Sequence, residues 1–208
     1  MKTLLTILAL FVVIASACST PAAPEFDPRP AYDSGVNRGW DQFEGANYTL
    51  AATEFRNALD VDTGRLWPEA YIGLAWSLAM QDSVDRAIGH FSTALSKVPT
   101  SGADSADVYA GLGLGYREVS PPNFVQVRNN VQSALAINAQ YTFSHKTSIN
   151  SDDLNAILAE AFFNIGLTDS AAAIADPNSV LDPESATYLT DLLSRINNLI
   201  LLSSGGGL

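Results

Sequence analysis

Cysteine is nearly absent: Cys18 is the single one in 208 residues. No intramolecular disulfide can form, and a tetrahedral cysteine-rich zinc site, which needs several ligands, is excluded. Histidine is scarce too, with His90 and His145 the only two. Neither stands near a cysteine or a convincing carboxylate cluster, so no metal site, cofactor or catalytic centre is expected. Cations are few: Lys plus Arg is 11 against 22 Asp plus Glu, a formal net charge of −11. Phosphate backbones are held by clustered cations, so nucleic acid is not expected as a partner. The acidity also disfavours a peripheral grip on anionic lipid and suits a soluble exported domain. No apolar run reaches the ~20 residues of a membrane helix. Sustained apolar/polar alternation is missing as well; only Tyr141, Thr142 and Phe143 alternate briefly. What remains is a chain with 47% hydrophobic residues, too many for disorder and enough for one domain with a real core.

The first residues read as an address. Lys2 is followed by an eleven-residue apolar run, 4–14, and then by Ala15, Ser16 and Ala17. A positive start, a short apolar stretch and small residues make up a secretory signal peptide. The sole cysteine follows Ala17 directly. This resembles a bacterial lipoprotein signal, in which a lipobox of small residues precedes a lipid-bearing cysteine, although Ala15 stands where leucine is usual. The resemblance implies cleavage before Cys18, acylation of Cys18 and anchorage in the cell envelope. Ser19, not aspartate, follows the cysteine, which implies the outer membrane, facing the periplasm. Pro21, Pro24, Pro28 and Pro30 then prevent a helix and predict an extended tether over 18–32.

From residue 33 the apolar spacing is helical. The stretch 87–95 echoes 51–59: Ala51, Phe55, Ala58 and Leu59 match Ala87, Phe91, Ala94 and Leu95, thirty-six positions on. A repeated unit decides the architecture before any other signal. In the first unit a helix ends near Gly45 and a second carries Ala51, Phe55 and Ala58 on one face. In the second, Tyr71, Leu74, Ala75 and Leu78 precede the Ala87/Phe91 helix and its closing Pro99. The third repeats Tyr109, Leu112, Gly113 and Tyr116, breaks at Pro121 and Pro122, and continues with Val127, Val131 and Ala134. Residues 139–150 have no clear period and read as an inserted loop. Ser151 then caps a helix carrying Leu154, Ile157, Ala161 and Phe162, stopped by Gly166, with a weak second helix from Ala171. Asp182 and Pro183 open a last amphipathic helix bearing Leu189, Leu192, Leu193, Ile196, Leu199 and Ile200. Its place suits the cover that a stacked array needs at its end.

These units resemble the tetratricopeptide repeat, most closely in the first two. The expected fold is all-α: a right-handed α-solenoid of three to four helical hairpins with a C-terminal capping helix. The expected boundaries are a signal peptide over 1–17, a tether over 18–32, the repeat domain over 33–203 and a flexible tail over 204–208.

No enzyme signature stands out. Gly111, Gly113 and Gly115 lie inside a repeat helix, not in a strand-to-helix phosphate loop. No serine sits in a nucleophile elbow, and Asp152 with Asp153 fits a helix start. Tetratricopeptide families bind peptides or protein segments in a concave groove lined by the first helix of each hairpin. The resemblance places Trp40 and Trp76 there, with Phe43 and Met80 one turn later and Arg117 in the third unit. Aromatics and arginine dominate binding hot spots. The alternative is that this strip packs against the tether, the inserted loop or the terminal helix. The expected role is a non-catalytic protein-interaction scaffold or assembly subunit. A receptor or transport-associated protein for an apolar or glycan-like ligand is the second possibility, favoured by a deep closed aromatic cavity over an open strip.

Overall fold

The computed structural model describes residues 27–99 and 102–203. The expected signal peptide, Cys18, most of the expected tether and the expected tail at 204–208 lie outside the described residues. Nine α-helices make up the described chain: α1 (Arg29–Glu44), α2 (Tyr48–Val61), α3 (Glu69–Ala79), α4 (Val84–Leu95), α5 (Ala103–Glu118), α6 (Phe124–Ile137), α7 (Ser151–Asn164), α8 (Thr168–Ala175) and α9 (Tyr188–Ser203). They pair in order as four antiparallel hairpins, with α9 against α7 and α8. The odd helices α1, α3, α5 and α7 also touch one another and form an inner layer. The even helices touch the odd ones on either side and form the outer layer. This is the all-α solenoid expected from the repeats.

The repeat works through small residues and one aromatic. Ala51, Phe55 and Ala58 on α2, and Ala87, Phe91 and Ala94 on α4, are fully buried. The alanines bring helix backbones close, and the rings fill the space that glycines leave. A Cβ on Gly73 of α3 would lie 2.2 Å from the Phe55 ring, and one on Gly39 of α1 would lie 2.5 Å from it. A Cβ on Gly111 of α5 would lie 2.2 Å from the Phe91 ring. The glycines of the 111–115 stretch are thus packing positions, required by the close approach of neighbouring helices. Helix α3 is buried continuously from Ala70 to Ala79, because neighbours cover it on every side.

The turns within hairpins repeat as faithfully as the helices. Asn47 N–H donates to the Gln42 carbonyl while Ala46 N–H donates to that of Phe43. Ser83 with Asp82, and Leu167 with Gly166, make the same pair of bonds. Such a turn needs one residue of positive φ, supplied by Ala46 (φ 59), Asp82 (φ 55) and Gly166 (φ 82). The third hairpin departs, as its two prolines predict: Asn123 N–H reaches back to the Tyr116 carbonyl.

Three boundaries differ from the sequence reading. Helix α1 begins at Arg29, inside the expected tether, because Pro30 falls in its first turn, where its missing N–H costs nothing. Helix α7 is capped by Asn150, not Ser151: the Asn150 side chain accepts from Asp152 N–H, and Asp153 accepts from Asn150 N–H. Asp153 is therefore part of a capping box as well as an acidic first turn. Helix α9 begins at Tyr188, not at Pro183. Asp182 accepts from Glu184 N–H and Ser185 from Thr187 N–H, and these turn bonds hold the intervening chain out of helix.

Candidate functional site

The inner layer carries a repeated aromatic pair. Trp40 of α1 meets the Phe55 ring edge-on at 4.9 Å, and Trp76 of α3 meets Phe91 edge-on at 5.3 Å. The same two residue types at the same two repeat positions yield the same contact. The rings that organise the packing thus support the tryptophans that line the inner face.

Residues 139–150 lie across this face. They form a compact turn closed by an isolated antiparallel bridge between Thr142 and Asn150. Phe143 N–H donates to the Ile149 carbonyl, Lys146 N–H to that of Phe143, and Ser151 N–H to that of Tyr141. Alternate side chains from 141 to 145 turn toward the helices, as they do in any extended segment. Phe143 is fully buried, stacked on Trp76 at 4.3 Å and edge-on to Trp40 and Phe43 at 6.0 and 5.9 Å. His145 stacks flat on Trp40 at 3.7 Å, with its Nδ1 2.8 Å from a Glu44 carboxylate oxygen. Tyr141 and Ile149 are buried on either side. Burying Phe143, Tyr141 and Ile149 contributes about 1.5–3 kcal/mol each.

The five residues singled out from sequence divide accordingly. Trp40, Phe43 and Trp76 come together in one cluster, and the insert covers them. Trp76 and Phe43 are buried, while Trp40 keeps a partly open edge. Met80 caps α3 and packs at the margin of the core. Arg117 stands apart: its guanidinium is held by Glu160 of α7 at 2.6 Å and by Glu118 at 2.9 Å. The strip is therefore not an open groove in this conformation; the inserted loop, one of the alternatives above, occupies it. Sequence reading missed Phe143, His145 and Glu44. The brief alternation at 141–143 was their one local trace.

The Trp76 indole N–H is buried on this seam without a hydrogen bond, while the buried Tyr141 hydroxyl faces Asp107. Asp107 of α5 is the charged neighbour of Tyr141. Burial pushes the Asp107 carboxyl up to about 7, against the opposing effect of Tyr141 and with help from Asp104. Away from the seam, Asp176 is buried but paired with Arg195 at 2.9 Å. His90 leans on Tyr71, and burial lowers its pKa. No group of three His, Cys, Asp or Glu among the described residues is placed to hold a metal ion.

Comparison with solved structures settles the fold. The chain superimposes on YrrB, described as a TPR protein with an unusual peptide-binding site, with a TM-score of 0.59 and 14% identity over 86% of this chain and 97% of that one. The fold is a tetratricopeptide-repeat solenoid. MamA matches with a TM-score of 0.54 and 17% identity, covering 80% of this chain and 79% of its own. The Cut9–Hcn1 complex of APC/C gives a TM-score of 0.57 at 16% identity over 79% of this chain, which spans 29% of that much longer partner. No family model and no curated protein matches the sequence. At these identities the likeness is one of tetratricopeptide fold alone.

Proposed function

We propose that this protein is a non-catalytic tetratricopeptide module that binds a polypeptide partner, tethered in the bacterial cell envelope by lipid on Cys18. One observation carries the binding reading. The inner layer already accommodates an extended polypeptide, its own residues 141–145, through Trp40, Phe43 and Trp76. A surface that holds one such segment by alternate side chains has the shape and chemistry to hold another. The solved structure of YrrB, a tetratricopeptide protein with a peptide-binding site, supports the same reading.

The small-ligand alternative has less behind it. Among the described residues the aromatic strip is covered by the chain itself, and the cleft of about 450 Å³ at its edge, lined by Phe43, Tyr48 and His145, is an open one. The surface cleft of about 790 Å³ between α7, α8 and α9 is lined by Asn150, Asn155, Ile174 and Leu199, with no aromatic residue on its walls.

The test is affinity capture with the full chain from solubilised membranes. A specific protein should be retained, and Trp40→Ala should weaken its retention. Equal retention by a folded Trp40→Ala protein would remove the inner face from the reading. The anchor has its own test: Cys18→Ala should shift the protein from the membrane to the soluble fraction, and unchanged membrane retention would refute lipidation.

A further inference from the structure

The insert is attached to the solenoid in an unusual way. Its backbone bonds to itself and to the first turn of α7, where Leu154 N–H donates to the Asn150 carbonyl and Asn150 N–H to Asp153, and among the described residues to no backbone of α1, α3 or α5. It meets the inner face through side chains alone: Phe143 in the socket of Trp40, Phe43 and Trp76, His145 on Trp40 and Glu44, and Tyr141 beside Asp107. The part before Asn150, which stays as the cap of α7, can leave the inner face without breaking a backbone bond to α1, α3 or α5.

The seam is also incompletely satisfied. Buried polar atoms almost always find a partner, and one that does not calls for an explanation. The Trp76 indole N–H, beneath the Phe143 ring, is buried and without a hydrogen bond.

We propose that residues 139–149 are a built-in, displaceable occupant of the inner groove. Its external competitor is an extended protein segment with an aromatic residue and, two positions on, a cationic one. The insert carries the aromatic itself at Phe143 and, at His145, an imidazole whose Nδ1 lies 2.8 Å from a Glu44 carboxylate oxygen. The aromatic position fills the socket over Trp76. The second position lies on the face of Trp40 and against the Glu44 carboxylate, a place where a cation gains from both. The chain's net charge of −11 also favours a basic segment over an acidic one. This inference rests on the polypeptide-binding reading and adds the partner's chemistry and the state of the groove.

The experiment uses the full chain in detergent and a fluorescent peptide with the sequence of residues 139–149. His145→Ala removes the stack on Trp40 and the contact with Glu44 but leaves Phe143 and the buried core intact. Anisotropy should show the variant binding the peptide at least ~10-fold tighter than the wild type, since apparent affinity scales with the open fraction. Replacing the peptide's phenylalanine with alanine should abolish binding. Equal affinities for wild type and variant, or no binding to the variant, would overturn the proposal. So would a variant that takes up the apolar dye 1-anilinonaphthalene-8-sulfonate but not the peptide, which would make the groove a small-ligand site. A second measurement needs no mutation. Hydrogen exchange of the wild type should release the Phe143 and Ile149 amides well before those of α3, and their exchange together would show that the insert does not open on its own. If these arms fail while partner capture succeeds, binding belongs to another surface and the interaction reading stands without this one.

Discussion

Gly111 has no side chain because Phe91 occupies the place where one would be. Its Cβ would lie 2.2 Å from that ring, and the ring is held edge-on by Trp76 at 5.3 Å. Gly111→Ala should therefore cost about 1–3 kcal/mol through overpacking. Urea titration should show a lower midpoint with an unchanged slope. Asp107 carries a second prediction. Burial pushes its carboxyl up to about 7 in the folded protein, well above the 3.8 usual for an aspartate. Between those values the native state holds a proton that the unfolded chain has released. Stability from this group is fully present below about 4, falls as pH rises and is lost by about 7. Asp107→Asn should flatten that slope, as thermal melts across the same range would show. At this scale the sequence was informative about who packs and silent about who covers. The repeat register picked out Trp40 and Trp76 because each follows a small residue in its helix. Nothing local announces that Phe143 will stack on one and His145 on the other, since that contact depends on the whole solenoid being built.

Helices and turns were legible where a local rule decides them. Alanine and phenylalanine at helical spacing located α2 and α4, and Gly45 and Gly166 marked the stops. Starts were less readable, because Asn150, Ser151 and Asp152 all suit an N-terminus and only the hydrogen bonds choose among them. The insert gave no period because too few residues alternate for a pattern to emerge. The turns offer the sharpest element-level test. Three of them need a left-handed residue, and the first uses Ala46, which has no side-chain hydrogen bond to compensate. Left-handed backbone costs a non-glycine residue roughly 1–2 kcal/mol. After allowance for the extra freedom that glycine gives the unfolded chain, Ala46→Gly should stabilise the protein by about 0.5–1 kcal/mol. An unchanged or lower midpoint in denaturant would show that the turn relaxes in some other way.

The molecule as a whole is a row of hairpins, each resting on the next. In such arrays stability is approximately a sum of units and nearest-neighbour terms, and the ends fray first. The contact of His145 with Glu44 breaks that pattern, because it joins residues 101 positions apart. Together with Phe143 it clasps the first hairpin to the segment between the third and fourth, and so turns an open row into a closed circuit. Local loss at the N-terminal end then also costs contacts near the far end. The intact chain should melt in one transition whether followed by tryptophan fluorescence or by circular dichroism. Phe143→Ala should lower stability by about 3–5 kcal/mol and separate the two probes, with the first hairpin loosening before the rest. A ligand that lifts the insert away would act on the same circuit. It would fill a groove, and it would also cut the tie between the first hairpin and the far end of the row, leaving α1 and α2 held by α3 alone, so occupancy at the centre of the molecule would be felt as slackness at its beginning.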